Sequence, residues 1–251
     1  SLSSDGSRVA IGAYANDGVS GSNSGHVRIY NYTPSGTASW TQLGADIDGE
    51  AAGDYSGNSV SLSSDGSRVA IGAHDNDGNG TNSGHVRIYN YTPSGTASWT
   101  QLGADIDGEA VSDGSGFSVS LSSDGSRVAI GAYANDGVSG SNSGHVRIYD
   151  YTPSGVTSWT QVSGDIDGEA SDDQSGWSVS LSSDGSRVAI GATLNDGNGT
   201  YSGHVRIYNY TPSGTASWTQ LGADIDGEAA GDQSGRSVSL SSDGSRVAIG
   251  A

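Results

Sequence analysis

The sequence predicts an all-β fold, a β-propeller of four-stranded antiparallel blades, each about 60 residues long. Three observations predict it. The phrase Ser-Leu-Ser-Ser-Asp-Gly-Ser-Arg-Val-Ala-Ile-Gly-Ala starts at Ser1, Ser61, Ser120, Ser180 and Ser239. Each copy holds four strand-like runs separated by turn residues. Gly, Ser, Thr, Asn and Asp saturate the chain, and no apolar stripe of helical period occurs. Leu, Ile, Val and Phe are few enough to raise disorder as a rival, but they are periodic and aromatics recur at fixed places, which excludes it.

The repeats divide the chain into units 1–60, 61–119, 120–179 and 180–238, with residues 239–251 starting a fifth. One unit is too small to bury its own core, so the units must stack into one array. Copies 1 and 3 share a longer loop (18–26 and 137–145), and copies 2 and 4 a shorter one (78–85 and 197–204). The deeper period is therefore a duplicated two-unit block. Four units and a surplus hairpin leave ring size and closure open.

In the second copy the first run is Ser59-Val60-Ser61-Leu62-Ser63, which alternates as a half-buried strand does. Ser64-Asp65-Gly66-Ser67 follows, and Asp-Gly between alternating runs is a hairpin signal. The second run is Arg68 to Ala73. The third is His85 to Tyr91, after which Thr92-Pro93-Ser94-Gly95 turns the chain into the fourth, Ser98 to Leu102. Small residues in the second run (Ala70, Gly72, Ala73) let sheets converge near an axis. Large ones further on (Tyr89, Tyr91, Trp99) fill the wider gap outside. A linear β-solenoid is the rival, but its rungs are usually about 20–30 residues.

The unit resembles the FG-GAP repeat of the integrin α-subunit propeller and its bacterial and algal relatives. Ile11-Gly12-Ala13, Ile71-Gly72-Ala73, Ile130-Gly131-Ala132 and Ile190-Gly191-Ala192 stand at the GAP element. Ser56-Gly57, Ser115-Gly116, Ser175-Gly176 and Ser234-Gly235 stand at the FG element. The resemblance covers essentially the whole chain and implies the propeller fold. The chain departs from the pattern twice. Ser replaces Phe in every FG. The family's Asp-rich calcium loop, between the first two strands, is replaced by Ser-Ser-Asp-Gly-Ser-Arg.

A different segment offers oxygen ligands for calcium. Asp46, Asp48, Glu50 and Asp54 fall at relative positions 1, 3, 5 and 9 around a glycine, a spacing that can wrap a hard cation. The pattern recurs as Asp105, Asp107, Glu109, Asp113; as Asp165, Asp167, Glu169, Asp173; and as Asp224, Asp226, Glu228, Asp232. The other reading is that these acids cap turns and pair with arginines. His26, His85, His145 and His204 open the third strand of each unit; one per blade could ring an axis and bind metal, the other reading is a strand-end hydrogen bonder, and His74, without counterparts, cannot complete such a symmetric site.

Near-identity of the units makes their differences informative. One variable place follows Gly-Ala: Tyr14, His74, Tyr133 and Thr193. The other lies within Ser-Gly-x-Ser: Asn58, Phe117, Trp177 and Arg236. These are candidate ligand-binding residues if they share one face, because aromatic rings make platforms for sugars and peptides. Relaxed drift at exposed positions is the competing explanation. Asn79 and Asn198, and less favourably Asn31, Asn90 and Asn209, which have Pro after the Thr, are glycosylation acceptors if the source is eukaryotic.

Charge and composition bound the function. There are 28 acidic residues against 10 basic ones, all Arg, and the net charge is −18. That argues against nucleic acid and anionic membranes as partners. No apolar run is long enough for a membrane helix, and there is no cysteine. No nucleophile, base and acid cluster breaks the repeat, so an enzyme is not expected. The expectation is a non-enzymatic extracellular or cell-surface module for adhesion or architecture, joined to copies of itself or adjoining repeats, with calcium as candidate cofactor. The alternative is a lectin-like propeller that binds glycans or matrix proteins through the variable loops.

Overall fold

The computed structural model describes residues 1–34, 39–93, 98–153, 158–212 and 216–251. Ser94 and Gly95 of the expected turn lie outside the described residues. The first sheet contains β1 (Arg8–Ala13), β2 (His26–Thr33), β3 (Ser39–Gln42) and β4 (Ile47–Asp48). The second contains β5 (Ser59–Leu62), β6 (Arg68–Ala73), β7 (His85–Thr92), β8 (Ser98–Gln101) and β9 (Ile106–Asp107). The third contains β10 (Ser115–Leu121), β11 (Arg127–Ala132), β12 (His145–Thr152), β13 (Ser158–Gln161) and β14 (Ile166–Asp167). The fourth contains β15 (Ser175–Leu181), β16 (Arg187–Ala192), β17 (His204–Thr211), β18 (Ser217–Gln220) and β19 (Ile225–Asp226). A final hairpin pairs β20 (Ser237–Leu240) with β21 (Val247–Gly250).

The second, third and fourth sheets are antiparallel meanders of the order β5-β6-β7-β8, while the first begins at β1, with Leu2 bridged to Val9 in place of an inner strand. The β5–β6 register sets Val60 opposite Ile71 and Leu62 opposite Val69, so alternation delivers apolar side chains to the face between blades. The connecting turn is held locally. Asp65 Oδ1 accepts the Ser67 N–H at 2.9 Å and the Ser63 hydroxyl at 2.7 Å, and Gly66 takes φ +65°. The two-residue strand β9, absent from the sequence reading, pairs with β7 through His85↔Asp107 and Val86↔Ile106. It brings Ile106 into the core formed with Val86, Ile88, Val128 and Ile130.

Successive blades pack with their innermost strands β5, β10, β15 and β20 adjacent. Ser1, Ser61, Ser120 and Ser180 each accept, through the side-chain hydroxyl, the backbone N–H of Leu62, Leu121, Leu181 and Leu240 at 3.0 Å. Further out, the Trp99 indole N–H donates across the gap to the Leu43 carbonyl at 2.8 Å, and Trp159 does the same to Leu102. The GAP glycines have a single physical reason. A Cβ on Gly72 would overlap the carbonyl oxygen of Gly116 in the next blade, and Gly12, Gly131 and Gly191 meet Gly57, Gly176 and Gly235 in the same way. Blades touch there backbone to backbone. The serine that replaces Phe in FG is buried: Ser56, Ser115 and Ser175 are fully enclosed, with the Gly49 and Gly25 backbones against Ser56. No space for a phenyl ring exists at that place.

The blades form an arc. Ile71, Ile130 and Ile190 are each 1% exposed, but the equivalent Ile11 is 51% exposed, because the first blade has no neighbour on that side in this chain. Leu2 and Trp40 are exposed on the same face.

Candidate functional site

The variable residues converge. At the end of the blades where β1, β6 and β11 finish, Tyr14, Tyr55, His74, Phe117, Tyr133 and Trp177 form one aromatic strip crossing from blade to blade. Centroid separations run 6.0 Å for Tyr14–Tyr55, 5.7 Å for Tyr55–His74 and 5.5 Å for His74–Phe117. They shorten to 4.5 Å for Phe117–Tyr133 and 4.6 Å for Phe117–Trp177. The Arg236 guanidinium closes the strip, 5.7 Å from the centre of the Trp177 ring. Asn58 is tied to this strip, its side-chain amide donating to the Phe117 carbonyl at 3.2 Å. Tyr55, which also varies among the copies, precedes Ser-Gly in the loop, where it holds φ +53°.

One pair inside the strip breaks the repeat. His74-Asp75 replaces the Tyr-Ala or Thr-Leu of the other units. His74 Nε2 lies 3.5 Å from Asp75 Oδ1, while Nδ1 is buried without a partner. Burial lowers the His74 pKa, partly offset by the Asp75 carboxylate, so the imidazole is neutral near pH 7 and able to take a proton. Burial, with Asp75 adding to it, raises the pKa of the neighbouring Tyr133 phenol, which stays a hydrogen-bond donor.

The four acids of each linking loop take separate tasks, although Asp46 and Asp48 of the first bring oxygens within 4.8 Å of each other. Asp54 is 3% exposed and its Oδ2 accepts the Ala51 N–H at 2.9 Å and the Asn76 amide at 3.0 Å. Asp113, Asp173 and Asp232 likewise cap their own turns, at Ala110, Ala170 and Ala229. Asp105, Asp165 and Asp224 accept from Gln101, Gln161 and Gln220 at 2.6 Å. Asp48, Asp107 and Asp167 sit in the short strands β4, β9 and β14, and their backbone carbonyls accept from Arg87, Arg147 and Arg206 of the following blade at 2.7–2.8 Å. Asp226 lies in the exposed β19. Glu50, Glu109 and Glu169 leave their own loops and reach into the next blade.

That crossing builds three equivalent junctions. Glu50 Oε2 is 3.8 Å from His85 Nδ1, and Glu50 Oε1 is 3.5 Å from Arg87 Nη1. Glu109 meets His145 and Arg147, and Glu169 meets His204 and Arg206, with the same spacing to within 0.1 Å. In the first blade no preceding Glu exists in this chain. There Arg28 turns to its own Asp46 instead, with a bidentate pair at 3.0 and 2.8 Å. The strand-opening histidines are not hydrogen bonders at the strand ends: His85, His145 and His204 are 1% exposed, and their Nε2 atoms lack partners. Burial first, and the adjacent arginine second, lower the pKa of His85 and of His145 to about 4.

Of the expected glycosylation acceptors, Asn79 and Asn198 have side-chain amides engaged by the next loop. Each donates to two carbonyls, those of Gly108 and Glu109, and of Gly227 and Glu228. The amides of Asn31, Asn90 and Asn209 lie near the carbonyl of the following tyrosine.

Comparison with known proteins identifies the repeat. The FG-GAP repeat model matches residues 45–89 and 165–208. The chain carries FG-GAP repeats. Each match runs from the acidic loop of one unit through the GAP strand and into the His-led strand of the next, spanning one blade junction. No curated protein matches the chain in sequence. Among solved structures, the FG-GAP chain is similar to a provisionally named 6-phosphogluconolactonase from Bacteroides fragilis, at 12% identity and a TM-score of 0.60. It is also similar to the periplasmic gluconolactonase of Pseudomonas aeruginosa, at 18% identity and a TM-score of 0.56. The alignments cover 99% of this chain and 56% and 63% of those structures, so the chain spans little more than half their length.

These neighbours correct the expectation of a non-enzymatic module for adhesion or surface architecture. Propellers named for lactone hydrolysis share this architecture, and at such identities the likeness carries the fold. An enzyme built on near-identical units needs one unit that departs from the repeat with chemistry of its own. His74-Asp75, set within the aromatic strip, is such a departure.

Proposed function

We propose that the chain is part of a propeller hydrolase that opens sugar-derived lactones, with the aromatic strip as its substrate platform and His74 as its general base. The observation that carries this reading is the unit-specific His74–Asp75 pair, flanked by Tyr55 and Phe117 rings. The names of the two structural neighbours support the choice of substrate class. Sugar rings stack on aromatic faces, and Trp177, Phe117 and Tyr133 offer a contiguous one. Arg236 provides a cation at its end for a phosphate or for the product carboxylate.

In this mechanism His74 Nε2 takes a proton from water as the oxygen adds to the lactone carbonyl carbon. The adjacent Asp75 carboxylate stabilises the imidazolium. The tetrahedral intermediate collapses by breaking the ring carbon–oxygen bond, and the leaving alkoxide takes the proton back from His74, giving the open hydroxy acid. The test is acid release from δ-gluconolactone and its 6-phosphate in a pH-stat, corrected for spontaneous opening. The His74→Gln variant is expected to lose about 10²–10⁴ of the catalysed rate. Hydrolysis no faster than the spontaneous reaction overturns the proposal.

A further inference from the structure

The blade junctions contain a set of side chains that neither the hydrolase reading nor the FG-GAP resemblance uses. Glu50, His85 and Asp105 each bring one donor atom to within 4.8 Å of the others. Glu109, His145 and Asp165 do so at the next junction, and Glu169, His204 and Asp224 at the third. The donors come from two blades: the carboxylate of the preceding linking loop, and the imidazole and second carboxylate of the following sheet. The separation of His85 Nδ1 from Glu50 Oε2, 3.8 Å, exceeds hydrogen-bond reach. It is wider than the roughly 3.4 Å between two ligands on one tetrahedral zinc, a gap that the half-exposed glutamate closes by moving inward.

The histidine is the observation that points to a ligand. Its side chain is 99% buried at His85, Nδ1 lies 3.8 Å from the Glu50 carboxylate, beyond hydrogen-bond reach, and Nε2 is buried without a partner. The same arrangement recurs at all three junctions, with an imidazole Nδ1 3.8–3.9 Å from a glutamate oxygen.

We propose that each of these three junctions is a binding site for a first-row divalent transition metal such as zinc, held by one imidazole and two carboxylates and joining one blade to the next. The donor set selects the class of ion. Calcium takes six to eight oxygen ligands, whereas imidazole with carboxylate suits zinc, cobalt and nickel. Charge permits it, since two carboxylates face one guanidinium at each junction and leave a net negative charge. The glutamate is the mobile ligand: its side chain is 44–46% exposed, while the histidine is fixed. Arg87, Arg147 and Arg206 keep their bonds to the preceding blade's carbonyls and need not leave. The first blade's His26, Asp46 and Asp48 are excluded, because Arg28 already occupies both oxygens of Asp46.

The experiment is a titration of the chelator-stripped chain with Co²⁺, read by visible absorption and by metal content after desalting, with Zn²⁺ and Ca²⁺ as competitors. The expected result is three bound ions per chain, displaced by Zn²⁺ and not by excess Ca²⁺. Glu50→Gln, Glu109→Gln and Glu169→Gln should each remove one ion, and the triple variant all three. These glutamates are half exposed, so the melting curve of the variants in chelator checks that they remain folded. His74→Ala, which alters the hydrolase site alone, should leave the count at three. No bound Co²⁺, binding that survives the triple substitution, or displacement by Ca²⁺ overturns the proposal. Loss of lactone hydrolysis has no bearing on it.

Discussion

Replacing Gly131 by alanine tests the contact that sets the spacing between blades. The new methyl would overlap the Gly176 carbonyl oxygen and the Ser118 hydroxyl, which itself donates to that carbonyl at 2.7 Å. Overpacking of a close-packed site costs about 1–3 kcal/mol. Losing the Ser118 bond adds about 1 kcal/mol, its usual net contribution. A loss of about 2–4 kcal/mol in a chain of this size lowers Tm by about 4–16 °C. Gly164→Ala is the control: nothing lies within 4 Å of its added Cβ. That variant should melt within about 2 °C of the parent, as surface substitutions do. Thermal unfolding followed by circular dichroism distinguishes the two. If Gly131→Ala and Gly164→Ala melt together, the blades do not meet backbone to backbone at the GAP glycines.

Other predictions address the arc and its buried charges. Ile130→Ala, at a position 1% exposed, should cost about 2–5 kcal/mol in urea unfolding, as buried truncations do. Ile11→Ala, the same place in the first blade but 51% exposed, should cost under about 1 kcal/mol. Equal costs would mean that the first blade's face is covered. Stability should fall with acid in a defined window. His85 and His145 have folded pKa values of about 4, below the ordinary 6.5, so the unfolded chain binds more protons between those values. Their contribution is complete above about pH 6.5 and is lost as pH falls through about 4. Burial raises the Glu50 and Glu109 pKa values, a contribution of opposite sign that is complete below 4.5 and fades as pH rises. Urea midpoints across pH 3.5–7 (a range set by those values) should therefore drop toward acid, and His145→Asn should flatten the drop.

Local features were legible because local chemistry determines them. Alternation in Ser59–Leu62, the Asp65-Gly66 turn and the long His85–Thr92 strand all need only neighbouring residues. Ile47, Ile106 and Ile166, set among the acids of their loops, are buried, while the equivalent Ile225 is 39% exposed. The acidic loops were misleading because their spacing invites a single wrapped cation. The strand Ile106–Asp107 divides the loop, and the following Glu109 crosses to another blade, a destination fixed only by blade stacking. Variation among copies marked Tyr14, His74, Phe117, Tyr133 and Trp177. Their union into one strip depends on the convergence of inner strands about an axis, which no single unit encodes. His74 lacked a counterpart and so could not complete a symmetric site. The same asymmetry makes it the candidate base.

The most direct test of the functional account is the pH-stat rate of δ-gluconolactone opening by the intact chain, measured beside His74→Gln and Trp177→Ala. The account predicts catalysis above the spontaneous rate. His74→Gln should lower kcat by about 10²–10⁴, and Trp177→Ala should act mainly on KM. Because the His74 pKa is lowered by burial, the catalysed rate should hold its plateau below pH 6.5 before falling in acid. An intact, folded chain that leaves the spontaneous rate unchanged, or one whose catalysis is indifferent to His74→Gln, would contradict it.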